Sequence, residues 1–402
     1  MNIIFLTMSR ISGVERRGIY TDLMRKFRDE GHNVYIVTPH ERSLGLPTEM
    51  VNKDGVHILG VKTLNLQKTS SIEKGLGQIM VEKQYKRAIK RYFRGINFDL
   101  ILYSTPPITF PKVIRYLKKH NTKALSYLLL KDIFPQNAVD IGMMSKTGLK
   151  GCLYFYFRKK EKELYALSDY IGCMSSANVD YVLEHNPEIL ADRVEVAPNS
   201  LELRVLTDCN VDRNTIRMKY GLPVDKPVFI YGGNLGKPQG ISFLIDCLSA
   251  NASRQDCYFV VIGSGTELPR LMAWYKESMP CSVIVMNGLP KAEYDVLVRS
   301  CDVGLIFLDN RFTIPNYPSR LLSYLENRMP ILCATDPNTD MGLIAEENGY
   351  GYWCESNSVS SFTAILDKMI HSDRRSMGER GFEFLKKNYL VENTYNTIMA
   401  HV

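Results

Sequence analysis

No stretch of this 402-residue chain approaches the ~18 consecutive apolar residues of a membrane-spanning helix, so an integral membrane protein is not expected. The opening residues, MNIIFLTMSR, lack a basic segment followed by an adequate apolar run, which excludes a secretory signal. The nine cysteines (Cys152, Cys173, Cys209, Cys247, Cys257, Cys281, Cys301, Cys333, Cys354) form no CxxC pair. A scattered, odd-numbered set beside apolar neighbours reads as buried thiols of a reducing compartment. The expected location is therefore cytoplasmic, with any membrane contact peripheral. Charge excess is also small, at +7, too little to indicate a nucleic-acid partner although local basic clusters matter. There is no low-complexity tract, short repeat or structureless linker, and the acidic segments DNRF and TDPNTD read as turns rather than a metal site.

What is present is ordinary globular composition, 45% apolar and 23% charged, over a length that predicts two domains. Short apolar runs alternate with amphipathic stretches almost throughout. NIIFLT, HNVYIVTP, VHILGV, DLILYS, ALSYLLL, YIGCMS and VEVAPN read as strands of the first half, and PVFIYGG, CYFVVIG, SVIVMNG, VGLIFL, PILCAT and GYWCE as strands of the second. Helices such as IYTDLMRKFRDEGH and ISFLIDCLS fall between them. This rhythm predicts an α/β protein of two doubly wound, parallel-sheet domains. The expected boundaries are residues 1–198 and 199–385, with residues 386–402 returning to the first domain.

Such sheets bind ligands beyond the carboxyl ends of their strands. The stretch YGGNLGKPQGISFLI ends a strand at Gly232-Gly233 and starts a helix at Ile241. Glycines there permit close backbone approach, and helix-start amides suit an anion beside Lys237. Gly263, Ser264 and Gly265 end another strand, Gly288 and Leu289 a third, and Pro318, Ser319 and Arg320 open a helix. None of these forms GxGxxG, because the sixth residue after the Gly263–Gly265 turn begins is Leu268, and no Walker loop occurs.

The order of YGGNLGKPQGISFLI, FVVIGSGTELPRL, VIVMNGLPKAEYDVLVRSCDVGLI and PSRLLSYLENRMPIL resembles the carboxyl-terminal domain of retaining GT-B glycosyltransferases, family 4. SRISGVERRGIYTDLMRKFRDEGHNVYIVT resembles that family's acceptor-domain opening, and YSTPPIT with LLLKDIFPQNAVDIGMM resembles bacterial O-antigen and capsule enzymes akin to N-acetyl-L-fucosamine transferases. The resemblance implies a GT-B fold of two Rossmann-like domains facing a central cleft. It implies a nucleotide sugar, usually UDP-linked, held by the second domain, retention of anomeric configuration, and no required metal cofactor. Gly233, Asn234, Gln239 and Gly240 would then face the diphosphate, Gly263 to Gly265 with Gly288-Leu289 the nucleoside, and Pro318, Ser319 and Arg320 the phosphates and sugar.

Several positions depart from the family pattern. Its phosphate-binding Arg and Lys align with Asn234 and Gln239, so the counter-charge would come from Lys237 or Arg320. Its ribose-gripping carboxylate aligns with Ser323 and the second acid of that pair with Asn316, with Glu326 one turn beyond. In the first domain Lys131 stands where many relatives carry His, and Asp132 follows it at a strand end. Asp132 is the candidate for orienting the acceptor hydroxyl; a lone Asp there is otherwise a cap or turn former. Gly13, Arg16 and Lys131 are the candidate acceptor-side residues.

Two basic segments invite a membrane reading. QIMVEKQYKRAIKRYFRG places Val81, Tyr85, Ile89 and Tyr92 at helical spacing among Lys83, Lys86, Arg87, Lys90 and Arg94, and GLKGCLYFYFRKK sets Leu153, Phe155 and Phe157 before Arg158-Lys159-Lys160. These suit either an anionic bilayer surface or a packed helix with a solvated face. The expected activity is transfer of a sugar, such as an N-acetylated deoxyhexose, from a UDP-sugar to a polyprenyl-pyrophosphate-linked acceptor in bacterial surface polysaccharide assembly. A sugar-nucleotide epimerase on the same architecture, and a non-catalytic nucleotide- or membrane-binding scaffold, stand as alternatives.

Overall fold

The computed structural model describes residues 1–66, 71–203 and 212–402; Cys209 lies outside them. The chain divides into two compact units, Met1–Glu202 with Tyr389–Val402, and Leu203–Asn388.

In the first unit, among the described residues, eight strands form one sheet: β1 (Asn2–Leu6), β2 (Asn33–Glu41), β3 (Glu49–Lys53), β4 (Val56–Thr63), β5 (Leu100–Ser104), β6 (Leu125–Leu129), β7 (Tyr170–Cys173) and β8 (Val194–Val196). Their order is β3-β4-β2-β1-β5-β6-β7-β8. Ile3, Ile4, Phe5 and Leu6 of central β1 are all fully buried, as expected of a strand covered on both faces. The helices are α1 (Ile19–Asp29), α2 (Ser71–Tyr92), α3 (Pro111–His120), α4 (Gln136–Asp140), α5 (Gly148–Leu167) and α6 (Ser176–His185). All pairings are parallel except β3 with β4. That edge hairpin was not expected from its weakly apolar EMVNK, although its signal is visible: Asp54 and Gly55 both adopt positive φ, 53° and 72°, the geometry of a tight two-residue turn.

The second unit contains α7 (Arg213–Lys219), β9 (Val228–Asn234), α8 (Ile241–Ala250), β10 (Tyr258–Ser264), α9 (Leu268–Ser278), β11 (Val283–Asn287), α10 (Lys291–Arg299) and β12 (Val303–Phe307). It continues through α11 (Arg320–Glu326), β13 (Ile331–Thr335), α12 (Met341–Glu347), β14 (Gly351–Glu355), α13 (Val359–Ile370) and α14 (Arg374–Asn388). The sheet order is β11-β10-β9-β12-β13-β14, wholly parallel. The order reverses between β9 and β12, and such a switch point opens a crevice at the strands' carboxyl ends. The final helix, α15 (Val391–Met399), belongs to the first unit, where it packs on α1.

The structure decides one open alternative and corrects one expectation. The Val81, Tyr85 and Ile89 stripe of α2 is core, not a membrane face: each is at most 2% exposed, and the Tyr85 hydroxyl donates to Thr7 O at 2.8 Å. Phe157 of α5 is likewise buried, while Leu153 and Phe155 are exposed. Not every thiol is buried either, since Cys152 on the outer side of α5 and Cys281 in the turn before β11 are exposed.

Candidate functional site

The parallel register aligns the glycine turns of the second unit at one sheet edge. Gly263 pairs with Gly233 on one side and with Asn287, which precedes Gly288, on the other. The loops are too close for side chains at two positions. A Cβ on Gly263 would lie 1.9 Å from Gly233 O, and one on Gly265 would lie 2.3 Å from Leu235 O. Leu235 is held between the loops by its amide, which donates to Ser264 O, and by its carbonyl, which accepts from Glu267 N, both at 2.9 Å. Ser264, Gly265 and Gly288 are exposed along this edge, with Leu289 half-buried. Gly240 starts α8 with φ 56° against the end of β12, where Asp309 N donates to Pro238 O at 3.1 Å. The loop from Gly233 to Gly240 thus spans the β9/β12 switch point.

Arg320, at the start of α11, enters this region. Its guanidinium stacks on the Tyr231 ring at 4.2 Å and donates through Nη2 to Gln239 Oε1 at 2.7 Å. The Tyr231 hydroxyl lies 3.1 Å from Gln239 Oε1 and 2.9 Å from the Asn234 carbonyl oxygen. Arg320 has no carboxylate partner among the described residues, and its Nη1 is buried without a hydrogen-bond partner. Tyr324 sits one turn along α11, its hydroxyl 3.3 Å from Gly232 N and 3.1 Å from Ile230 O. Burial raises the Tyr231 and Tyr324 phenols and pushes Tyr294 up to about 12, so all three remain neutral near pH 7. Sequence reasoning picked out Arg320 and Gln239 separately. It missed the three tyrosines, whose apolar spacing in strand and helix carries no sign that they gather around one cation.

The remaining donor-side residues are less tightly built in. Lys237 is exposed and makes no ion pair among the described residues. Pro318 and Ser323 are half-buried and Ser319 is exposed. Asn316 is held by its amide, which donates to Thr339 Oγ1 at 3.0 Å. That loop depends on Asp336 at the end of β13, whose carboxylate accepts from Asn338 N, Thr339 N and Thr339 Oγ1, each at 3.0 Å. Burial lifts the Asp336 carboxyl to about 6. TDPNTD is therefore a turn, as its composition predicts, but one organised by a fully buried acid.

At the corresponding edge of the first sheet, Thr105 joins β5 to β6. Its Oγ1 accepts from Lys131 N at 2.9 Å and lies 3.2 Å from Asp132 O. Asn137 Nδ2 donates to Asp132 Oδ1 at 2.6 Å, while Asn137 Oδ1 is buried without a partner. Lys131 turns away, donating through Nζ to Ala197 O at 2.7 Å, and burial depresses its pKa to about 7. The amides after Gly13 are already occupied: Asp54 Oδ2 accepts from Val14 N at 3.0 Å and from Glu15 N at 3.5 Å, and would lie 2.4 Å from a Cβ on Gly13. Gly13 thus lies directly against the Asp54 carboxylate in this arrangement. Arg16 is exposed nearby. Among the described residues no cluster of three or more His, Cys, Asp or Glu side chains is placed to hold a metal ion.

Residues 212–384 match the family model described as glycosyl transferases group 1. The second unit is a glycosyltransferase group 1 domain, and the chain is a transferase enzyme. Over 335 residues it is 24% identical to the probable glycosyltransferase WbjE of Pseudomonas aeruginosa, covering 80% of this chain and 78% of that protein. It is also 24% identical over 202 residues to WcaI of Escherichia coli K12, a putative colanic acid biosynthesis glycosyl transferase, covering 49% and 48% of the two chains. Among solved structures it is similar to Anabaena HepE in complex with UDP and glucose, with TM-score 0.67, 14% identity, and 100% and 99% of the two chains covered. The fold is GT-B, built from two Rossmann-like units.

Proposed function

We propose that the chain is a retaining, family 4 glycosyltransferase that moves a sugar from a UDP-sugar to a lipid-linked acceptor during bacterial surface polysaccharide assembly. The observation that carries this reading is the Arg320 guanidinium: a cation beside the glycine turns, without a carboxylate partner among the described residues and with Nη1 buried and unsatisfied. A partly buried cation whose Nη1 has neither solvent nor a counter-ion is costly unless an anion completes it. A departing nucleoside diphosphate supplies such an anion, and Arg320 then takes the role that the aligned Asn234 and Gln239 cannot fill. Gln239 becomes the residue that aims the guanidinium, while Lys237 adds a mobile charge from the loop. Preorganised positive charge of this kind stabilises a leaving diphosphate more in the transition state than in the ground state.

The solved HepE complex with UDP supports a UDP-linked donor, and the description of WcaI as a putative colanic acid biosynthesis glycosyl transferase supports a role in polysaccharide assembly, for which a lipid-linked acceptor is proposed. An N-acetylated deoxyhexose is the donor sugar suggested by the chain's likeness to N-acetyl-L-fucosamine transferases. Asp132, fixed by Asn137, orients the acceptor hydroxyl, with the orphan Asn137 Oδ1 able to accept a further hydrogen bond. The exposed Leu76, Ile79 and Met80 of α2 and Leu153 and Phe155 of α5 supply apolar contacts for a peripheral approach to the acceptor's bilayer.

The test is transfer of labelled sugar from a panel of UDP-sugars to polyprenyl-diphosphate-linked acceptors, with the product anomer read by NMR. Retained configuration is expected, with activity lost in Arg320→Ala and kcat lowered at unchanged donor KM in Asp132→Asn. Inverted product, or full activity in Arg320→Ala, would overturn the reading.

A further inference from the structure

A cavity of about 830 Å³ lies between α2 and α3, walled by Gly95–Phe98 just before β5 and by His120 and Asn121 just before β6. It therefore sits at the amino-terminal edge of the sheet, opposite the edge that carries Lys131 and Asp132. Six cations line it: Lys86, Lys90 and Arg94 from the end of α2 and beyond, and Lys112, Arg115 and Lys119 from α3. No Asp or Glu is among the lining residues. Only Lys112 has an ion-pair partner among the described residues, Glu82 at 3.7 Å. Phe93, Phe98 and Leu117 close the floor as buried core, and the Tyr116 ring stands inside with Lys90 Nζ 5.0 Å and Lys86 Nζ 5.7 Å from its centre.

Helix dipoles account for part of this charge, since cations suit the last turns that hold Lys90 and Lys119. They do not account for Lys112, which occupies the first turn of α3 where a cation is disfavoured, nor for Arg115 at mid-helix. Lys86 with Lys90, and Arg115 with Lys119, are moreover like-charged pairs four residues apart, an arrangement that destabilises each helix. The cations converge on one concavity at a cost to the fold, so an anionic occupant is the physical reason to look for.

We propose that this cavity is a second anion-binding site, separate from the donor site, for a ligand bearing two or more phosphate or phosphodiester groups. Its size suits a small-molecule headgroup, and six cations around a concave wall suit several oxyanions rather than one. The ligand's source is either the phosphodiester headgroups of an anionic membrane or a soluble polyphosphate.

Two assays separate the sources: calorimetric titration with inorganic tripolyphosphate, and co-flotation with phosphatidylglycerol vesicles against phosphatidylcholine vesicles. Each is run on the full chain, on Lys90→Glu/Arg115→Glu, and on a control with two exposed cations of the second unit reversed, Lys276→Glu/Arg375→Glu. All targeted side chains except the Lys90 contact with Tyr116 are free of described partners, and Lys90→Ala/Arg115→Ala serves as a milder variant should the reversal lower the melting temperature. The expected result is an affinity loss of about tenfold or more in the cavity variants, with the control within about twofold of wild type. Loss in the vesicle assay identifies headgroups, and loss in the titration identifies a soluble phosphate. Binding in both assays that is equal across all variants, as Arg320 alone would give, or no binding by wild type, overturns the proposal.

Discussion

Arg320 shows how one side chain changes meaning once its neighbours are placed. Its charge is held flat against Tyr231 and aimed by Gln239, a fork geometry that an ammonium cannot reproduce. Arg320→Lys is therefore expected to lose most of the activity lost in Arg320→Ala, about 100-fold in kcat/KM, equivalent to about 2.7 kcal/mol of transition-state stabilisation. Steady-state kinetics with the cognate UDP-sugar checks this. Lys131 gives a separate residue-scale prediction. Its folded pKa is depressed to about 7 by burial, whereas an unfolded lysine holds its proton to about 10.4. Between those values the unfolded chain binds more protons, so this group makes folding stability rise with pH. Urea unfolding of wild type and Lys131→Met at pH ~7.5 and ~9.5 should show wild type gaining about 2.5 kcal/mol on the variant at the higher pH. No change in the difference would place the Lys131 ammonium in solvent.

At the scale of elements, the strands were legible because buried parallel strands read as short apolar runs, as in VFIY of β9 and VGLIF of β12. β3 was not, because an edge strand with one solvated face carries no such run, and the Asp54-Gly55 turn was its only mark. The glycine turns at Gly233, Gly263 and Gly288 were visible as punctuation, whereas their side-by-side alignment is a property of the register. Arg320 and Gln239 meet across 81 residues of sequence, and no local pattern encodes that contact. The α2 stripe was ambiguous because core and membrane faces share one helical period; only its buried environment distinguishes them. Gly263→Ala tests the packed turns: with Gly233 O only 1.9 Å from the new Cβ, the two strand ends must part. A stability loss of about 2–3 kcal/mol is expected by chemical denaturation, with weaker UDP binding. Wild-type stability in that variant would mean the loops are looser than described.

At the scale of the whole molecule, the proposed function gives the donor's diphosphate to the second unit and the acceptor's hydroxyl to the first. A nucleotide that binds only the folded chain stabilises it by about 2.7 kcal/mol at 100 times its dissociation constant, so UDP binding is readable as a thermal shift. The division of labour predicts that substitutions in the two units separate: Asp132→Asn should slow transfer and leave nucleotide affinity intact. Exposed apolar residues on α2 and α5 add a third property, retention on vesicles, that neither substitution should alter. The most direct measurement is calorimetric titration of UDP into wild type, Arg320→Ala and Asp132→Asn. A single site is expected on wild type, with affinity weakened by about 100-fold in Arg320→Ala and within about twofold of wild type in Asp132→Asn. Undiminished UDP binding by Arg320→Ala would contradict the proposed function.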